Sequence, residues 1–392
     1  MASEAGARIP LELIPLSEPA LGGNEWRYVK ECLDTNWVSS VGPFVTRFEQ
    51  MMCERIGVSS AVAVVNGTAA LHLALRIAGV GQDDEVVMPA LTFIAPANAV
   101  RYVGGWPVFV DVDWETGQLD PSRLADFVEK GCEWKNGRLI NTRTGRRVRA
   151  VLPVDILGHP ADLDAIVSIA RSRDLVVVED ATESLGARYK GDPVGCRADV
   201  ACLSFNGNKI ITTGGGGMLL TNRRDWADRA RHLSTQAKSD PIEYVHDEVG
   251  YNYRLTNVLA AIGVAQLEQL DDRVMARRRV ASAYSAALGD QPGVTGMTEA
   301  PWAFSTFWLY TVRVDADVYG MDSRAVLRKL ADANVQARPL WEPLHRSVAH
   351  QHAYACEAPV SDAWYRDALS LPSSAALTTD QQRRVIDVIR RT

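Results

Sequence analysis

Seven short apolar runs, Ala61–Val65, Glu85–Met88, Pro107–Val112, Ala150–Val154, Leu175–Glu179, Val200–Phe205 and Met218–Thr221, alternate with amphipathic helical patterns along the N-terminal part of the chain. Few architectures accommodate that alternation. Strands covered by helices on both faces are buried on both sides, so they read as continuous β-branched stretches rather than alternating ones. The helices between them are expected at Ala69–Ala78, Pro121–Glu129, Asp162–Arg173 and Trp226–His232, where apolar residues recur at helical spacing. The class is therefore α/β, with a mostly parallel seven-stranded sheet.

Residues 130–149 break the rhythm. They are polar and glycine-containing, which predicts a surface hairpin between a helix and the next strand. From Leu255 to about Leu288 there is no proline and only Gly263, and Leu255, Leu259, Ile262, Leu267 and Leu270 support one long helix or two abutting ones. This segment is expected to join a large domain at 1–255 to a small C-terminal α/β domain within 256–392. The latter would contain strands at Phe307–Val312 and near Val335–Arg338, a helix at Ser323–Ala333 and a terminal helix after Asp380.

Composition narrows the functional classes. The first eight residues lack a basic start followed by an apolar run, and no stretch approaches the ~20 apolar residues of a membrane helix, so a cytoplasmic protein without membrane insertion is expected. A net charge of −6 with interspersed signs argues against a nucleic-acid partner. Cys32, Cys53, Cys132, Cys196, Cys202 and Cys356 form no metal-ligand spacing, so free thiols and no metal are expected.

Three segments carry chemistry. The run Leu175–Glu179 continues into Asp180, which would stand at the C-terminal sheet edge where open α/β sheets bind ligands; a helix N-cap is the alternative. Val200–Phe205 leads to Lys209 and then to four glycines, Gly214–Gly217. A lone lysine is ordinarily surface charge, but a pyridoxal-phosphate enzyme needs this pair: an amine to form an imine and a carboxylate to keep the pyridine nitrogen protonated. The third segment, Asn66-Gly67-Thr68, leads a strand into a helix whose N-terminus suits phosphate. It lacks the lysine of a Walker loop and the three glycines of a dinucleotide fingerprint, which disfavours ATP and NAD.

Together these segments resemble the DegT-type nucleotide-sugar aminotransferases, fold-type I pyridoxal-phosphate enzymes, from Ile14 to the C-terminal helix. The landmarks are Gly22-Gly-Asn-Glu25, Trp37-Val-Ser-Ser-Val-Gly42, Asn66-Gly-Thr-Ala-Ala-Leu71, Pro89-Ala-Leu-Thr-Phe-Ile-Ala95, Glu179-Asp-Ala-Thr-Glu-Ser-Leu-Gly186, Ser204-Phe-Asn-Gly-Asn-Lys209, Gly250-Tyr-Asn-Tyr-Arg-Leu-Thr-Asn257 and Arg338-Pro-Leu-Trp-Glu-Pro-Leu-His345. The resemblance implies that Lys209 carries pyridoxal 5'-phosphate as an imine and moves the substrate proton, and that Asp180 pairs with the pyridine nitrogen. It also implies Phe93 against the ring face, Glu183 near the ring hydroxyl, and Gly67, Thr68, Ala69 and Ser204 around the phosphate. Asn252 would reach the cofactor of a neighbouring subunit in a homodimer. Asn206 and Asp155 depart from the residues common at those places, an aromatic or histidine and a histidine respectively.

Within that family, Ser204–Gly217 and Gly158-His-Pro160 are similar to enzymes that aminate C4 of nucleotide-linked 4-keto-6-deoxy sugars, in the bacillosamine, legionaminic acid and perosamine branches. The expected donor is L-glutamate, leaving as 2-oxoglutarate. Arg254, Arg338 and His345 are candidates for the glutamate carboxylate or the nucleotide diphosphate. The rival readings are a C3 aminotransferase, a sugar dehydrase, and a silent binding protein on the same fold. Lysine at 209, where dehydrases of this family carry histidine, points to amine transfer.

Overall fold

A computed structural model describes residues 12–240 and 242–390. All seven expected strands occur in one sheet: β1 (Ser60–Val64), β2 (Glu85–Pro89), β3 (Trp106–Val110), β4 (Val148–Val151), β5 (Val176–Asp180), β6 (Val200–Ser204) and β7 (Gly217–Thr221). An eighth, β8 (Tyr354–Ala355), corrects the count of seven. It comes from the C-terminal part of the chain and pairs in parallel with β3. Two residues of β-forming sequence gave no local signal for it; the unpaired edge of β3 supplies its partner.

The sheet order is β1-β7-β6-β5-β4-β2-β3-β8, parallel throughout except that β7 runs antiparallel to both neighbours. Side chains alternate between two cores: Val86 and Met88 pack with Phe109, Leu152 and Val178 on one face, while Val87, Val108, Val110 and Val177 pack on the other. Both faces are dry, which is why the strands read as unbroken apolar runs.

Helix α1 (Gly67–Ile77) follows β1 and is almost wholly buried. The Asn66 side chain caps it, accepting from the Ala69 N–H at 2.7 Å. Helices at Pro121–Lys130, Leu163–Ser172 and Arg224–Ser234 match the periodicity within a residue or two, and the polar excursion is the hairpin Cys132–Lys135 with Arg138–Asn141. The connecting segment is two abutting helices, α2 (Asn257–Leu267) and α3 (Leu270–Leu288).

A second core gathers Val280, Tyr284, Tyr310, Val326, Leu369 and Val385 with Ile14. Its antiparallel sheet orders Val294–Gly296, Thr311–Val314, Ala368–Ser370 and Arg338–Pro339. Ile14, from the N-terminal end of the chain, bridges Val335 there. The strand expected at Phe307–Val312 begins only at Thr311, because Phe307 adopts φ 49° and the preceding Ser305 and Thr306 are tied to the Gly158 carbonyl instead. The strand near Val335 shrinks to Arg338–Pro339 for a related reason: Val335 spends its pairing on Ile14. No helix among the described residues is long and apolar enough to cross a membrane.

Candidate active site

The C-terminal ends of β1, β2, β5 and β6 and the start of β7 share one edge of the sheet, and a cleft of about 280 Å³ opens there. Among its lining are Gly67, Thr68, Phe93, Asp180, Glu183, Ser204 and Lys209. Residues from four separate segments thus converge on one space.

Lys209 sits in the loop after β6, its side chain largely buried. Nζ lies 3.5 Å from Glu183 Oε1 and 4.1 Å from the centroid of the Trp308 ring. The other Glu183 oxygen accepts from the Leu157 N–H at 2.8 Å. Leu157 holds φ 61°, a left-handed conformation uncommon for leucine, and that conformation accompanies the N–H bond to Glu183. Burial raises the Glu183 carboxyl above its usual range, and the neighbouring Lys209 charge pulls it back.

Asp180 ends β5 and is 2% exposed. One of its oxygens accepts from the Thr182 N–H at 3.1 Å. Burial raises its carboxyl too, opposed by the Thr182 hydrogen bonds and Lys209. Behind it stand two more buried carboxyls. Asp155 accepts from the Ala161 N–H and the Ser184 hydroxyl, each at 2.9 Å, and Glu179 accepts from the Gly195 N–H at 3.1 Å. Desolvation pushes Asp155 up to about 7 and Glu179 well above the carboxylate range. Three acids packed this closely, with no cation among the described residues paired to Asp155 or Glu179, favour a proton retained between those two.

At the opposite wall, Gly67 and Thr68 open α1, so their N–H groups precede the first intrahelical bond. A Cβ on Gly67 would meet Ser204 Cβ at 2.9 Å and Thr182 Cγ2 at 3.2 Å; on Gly217 it would meet the Asn66 backbone at 2.4 Å. The glycines therefore let a helix N-terminus, two strand ends and the hydroxyl of Ser204 close on one point. Ala69 is different: its N–H is committed to Asn66 and it does not line the cleft. Phe93 is 52% exposed within the cleft, leaving a ring face free.

The remaining candidates lie elsewhere. Arg254 pairs with Glu49 at 2.5 Å and also donates to the Ala63 carbonyl, Arg338 is exposed and donates to the Ala337 carbonyl, and His345 stands 3.3 Å from Asp362. Asn252 is exposed and bridges Thr235. None of the four lines this chain's cleft. Conversely, Trp308, Trp341, Asn206 and Asn208 line it, and sequence reasoning assigned none of them a role. Trp308 was concealed inside the strand expected at Phe307–Val312. All six cysteines are free, two of them buried.

A buried strand-end aspartate, a lysine amine and a helix N-terminus closing one cleft of a doubly covered α/β sheet define a fold-type I aminotransferase. Residues 19–390 match the DegT/DnrJ/EryC1/StrS aminotransferase family, and the chain belongs to it. It is 41% identical over 379 residues to a GDP-perosamine synthase of Caulobacter vibrioides (96% of this chain, 97% of that relative) and 39% identical over 372 residues to one of Escherichia coli (95% and 96%). Among solved structures, the aminotransferase TlmJ of Streptoalloteichus hindustanus superposes with a TM-score of 0.87 at 30% identity, covering 96% of this chain and 98% of that one. DesV of S. venezuelae gives 0.84 at 31%, covering 94% and 93%.

Proposed function

We propose that this chain transfers the amino group of L-glutamate to C4 of a nucleotide-linked 4-keto-6-deoxy sugar, using pyridoxal 5'-phosphate held in the cleft. The observation that carries the reading is the convergence of Lys209, Asp180 and Glu183 opposite the Gly67–Thr68 helix start. The similarity to GDP-perosamine synthases supports the sugar and the position.

The residues fit the cofactor. Gly67 and Gly217 leave a cradle that a Cβ would fill, beside the Ser204 hydroxyl, where a phosphate would rest on the α1 N-terminus. Asp180 is a desolvated carboxyl whose ionisation calls for a cationic N–H, which a protonated pyridine ring supplies. Phe93 would lie against that ring, and Glu183 would accept from the ring hydroxyl. When bound, the cofactor provides an electron sink for the carbon that gains or loses the amine.

The protein's own groups do the rest. Lys209 would hold the cofactor through its amine, and that amine would carry a proton to or from the substrate carbon on one face. Glu183 holds the lysine amine on that side, and the Trp308 ring closes the space beside it. Asn252, exposed and outside its own cleft, suits a homodimer in which it completes the phosphate site of the neighbouring subunit. The ion pair of Arg254 with Glu49 makes Arg254 a structural residue in this reading, and Asn206, at the cleft mouth, a substrate contact.

The test is product analysis by NMR after incubation with L-glutamate and either GDP-4-keto-6-deoxymannose or a UDP-linked 4-keto-6-deoxy-N-acetyl sugar. A new C4–N bond with stoichiometric 2-oxoglutarate supports the proposal. Amination at C3, or loss of oxygen without gain of nitrogen, refutes it.

A further inference from the structure

Lys209 lies in an irregular loop, and hydrogen bonds must do what a strand or helix would otherwise do to fix it. The peptide just before it is fixed from outside the large sheet. The Asn208 carbonyl accepts two hydrogen bonds, from Trp308 Nε1 at 2.6 Å and from the Ser17 hydroxyl at 3.1 Å. Those two donors come from distant segments, yet both are held by one side chain. Arg277, on α3, donates through Nη1 to the Trp308 carbonyl at 2.8 Å and to the Ser373 carbonyl at 2.7 Å, and through Nη2 to the Ser17 hydroxyl at 3.3 Å.

Arg277 is 2% exposed and has no carboxylate within 4.0 Å among the described residues. A buried cation without a counter-ion is costly, and an apolar side chain would fill the same position more cheaply. What an apolar residue cannot do is reach three acceptors at once from a planar fork. We propose that Arg277 is a positioning residue for Lys209, acting through Ser17 and Trp308 on the Asn208 carbonyl. Ser373 follows the last strand of the small sheet, so the same guanidinium ties the C-terminal core to the lysine loop. Burial and the nearby Arg273 lower its pKa to about 10, which leaves it charged at neutral pH.

This inference rests on Lys209 being the amine that binds the cofactor, and the experiment separates the two. Arg277→Met, Arg277→Lys, Trp308→Phe and Ser17→Ala are each prepared with and without pyridoxal phosphate. Trp308→Phe keeps an aromatic ring beside Lys209 and removes the N–H with part of the indole, so it gives an answer even where Arg277→Met does not fold. In the cofactor-free chain, amide hydrogen exchange at 208–210 is expected to accelerate about tenfold in Trp308→Phe and Arg277→Met while β5 and β6 keep their protection. In the loaded enzyme the visible circular dichroism of the cofactor should weaken. There kcat should fall about tenfold with KM for glutamate within about twofold, the pattern of a lost transition-state contact. Arg277→Lys should recover part of each effect.

Unchanged exchange at 208–210 and an unchanged cofactor spectrum, with only a lower melting temperature, would overturn the proposal. Borohydride reduction and peptide mapping of the parent enzyme decide the premise independently. Cofactor found on another lysine refutes the reading of Lys209, whereas cofactor on Lys209 with unaltered exchange in the variants refutes only the role of Arg277.

Discussion

Lys209 Nζ and Glu183 Oε1 lie 3.5 Å apart, both side chains largely buried, and the second Glu183 oxygen is fixed by the N–H of Leu157. The Glu183 carboxyl is thus held by the backbone on one side and faces the amine on the other. Its two oxygens serve two different masters, one backbone and one side chain, so replacing it by glutamine preserves shape and removes charge.

For Glu183→Gln we expect kcat to fall about tenfold or more, matching the ~1.5–3 kcal/mol of a hydrogen bond to a charged group. The absorption band of the bound cofactor should shift as well. Steady-state kinetics and an absorption spectrum check this; wild-type values for both would show that the contact is incidental.

Lys209→Ala should abolish the near-visible band of protein reconstituted with pyridoxal phosphate, and lower amine transfer by at least about 10²–10⁴-fold, the usual contribution of a positioned proton carrier. Glutamate-dependent bleaching should vanish with it. A band that survives the substitution would place the cofactor on a different group.

Gly67→Ala places a methyl 2.9 Å from Ser204 Cβ, so either the strand end or the helix start must shift. The expected result is cofactor binding weakened about 10–100-fold, equivalent to about 1.4–2.7 kcal/mol. The cofactor-free chain should lose about 1–3 kcal/mol through overpacking. Equilibrium titration with pyridoxal phosphate reads the first and denaturant unfolding the second.

The folded chain retains a proton between Glu179, raised well above the carboxylate range, and Asp155, pushed up to about 7 by burial, whereas an unfolded Asp155 ionises near 3.8. Stability from this group is therefore complete below the ordinary value and declines as pH rises toward 7, where the folded state must ionise it or pay to retain the proton. Asp155→Asn removes that term, so its stability should decline less than that of the parent from about pH 4 to 7. Parallel pH series of urea unfolding would detect the difference; coincident slopes would mean that Asp155 does not hold the proton.

Arg254→Met takes from Glu49, whose side chain is 11% exposed, its shortest ion pair and leaves it Arg231 at 3.5 Å and the Ala63 N–H at 2.7 Å. We expect a loss of about 2–4 kcal/mol of stability, somewhat below the penalty for breaking a fully buried pair, with KM for glutamate within about twofold. A large rise in KM without a change in unfolding midpoint would return Arg254 to the substrate site.

The strands, most helices and the Lys209, Asp180 and Gly67 positions were legible in the sequence because each rests on local chemistry. A doubly buried strand must be continuously apolar, an Asn before a helix caps it, and a lysine beside a glycine run at a strand end is an unusual neighbour set. Nothing local announces Trp308, which reaches Lys209 only because Phe307 turns to φ 49° and the Gly158 loop accepts from Ser305 and Thr306. Nor does the sequence show that Arg254 is already paired with Glu49, 205 residues away. Periodicity and composition report what each segment buries, so they determined the layers, the edge of the sheet where the cleft opens and the residues lining its strand ends. Which distant side chains meet there depends on the closure of loops across two cores, and that was decided only in the tertiary structure.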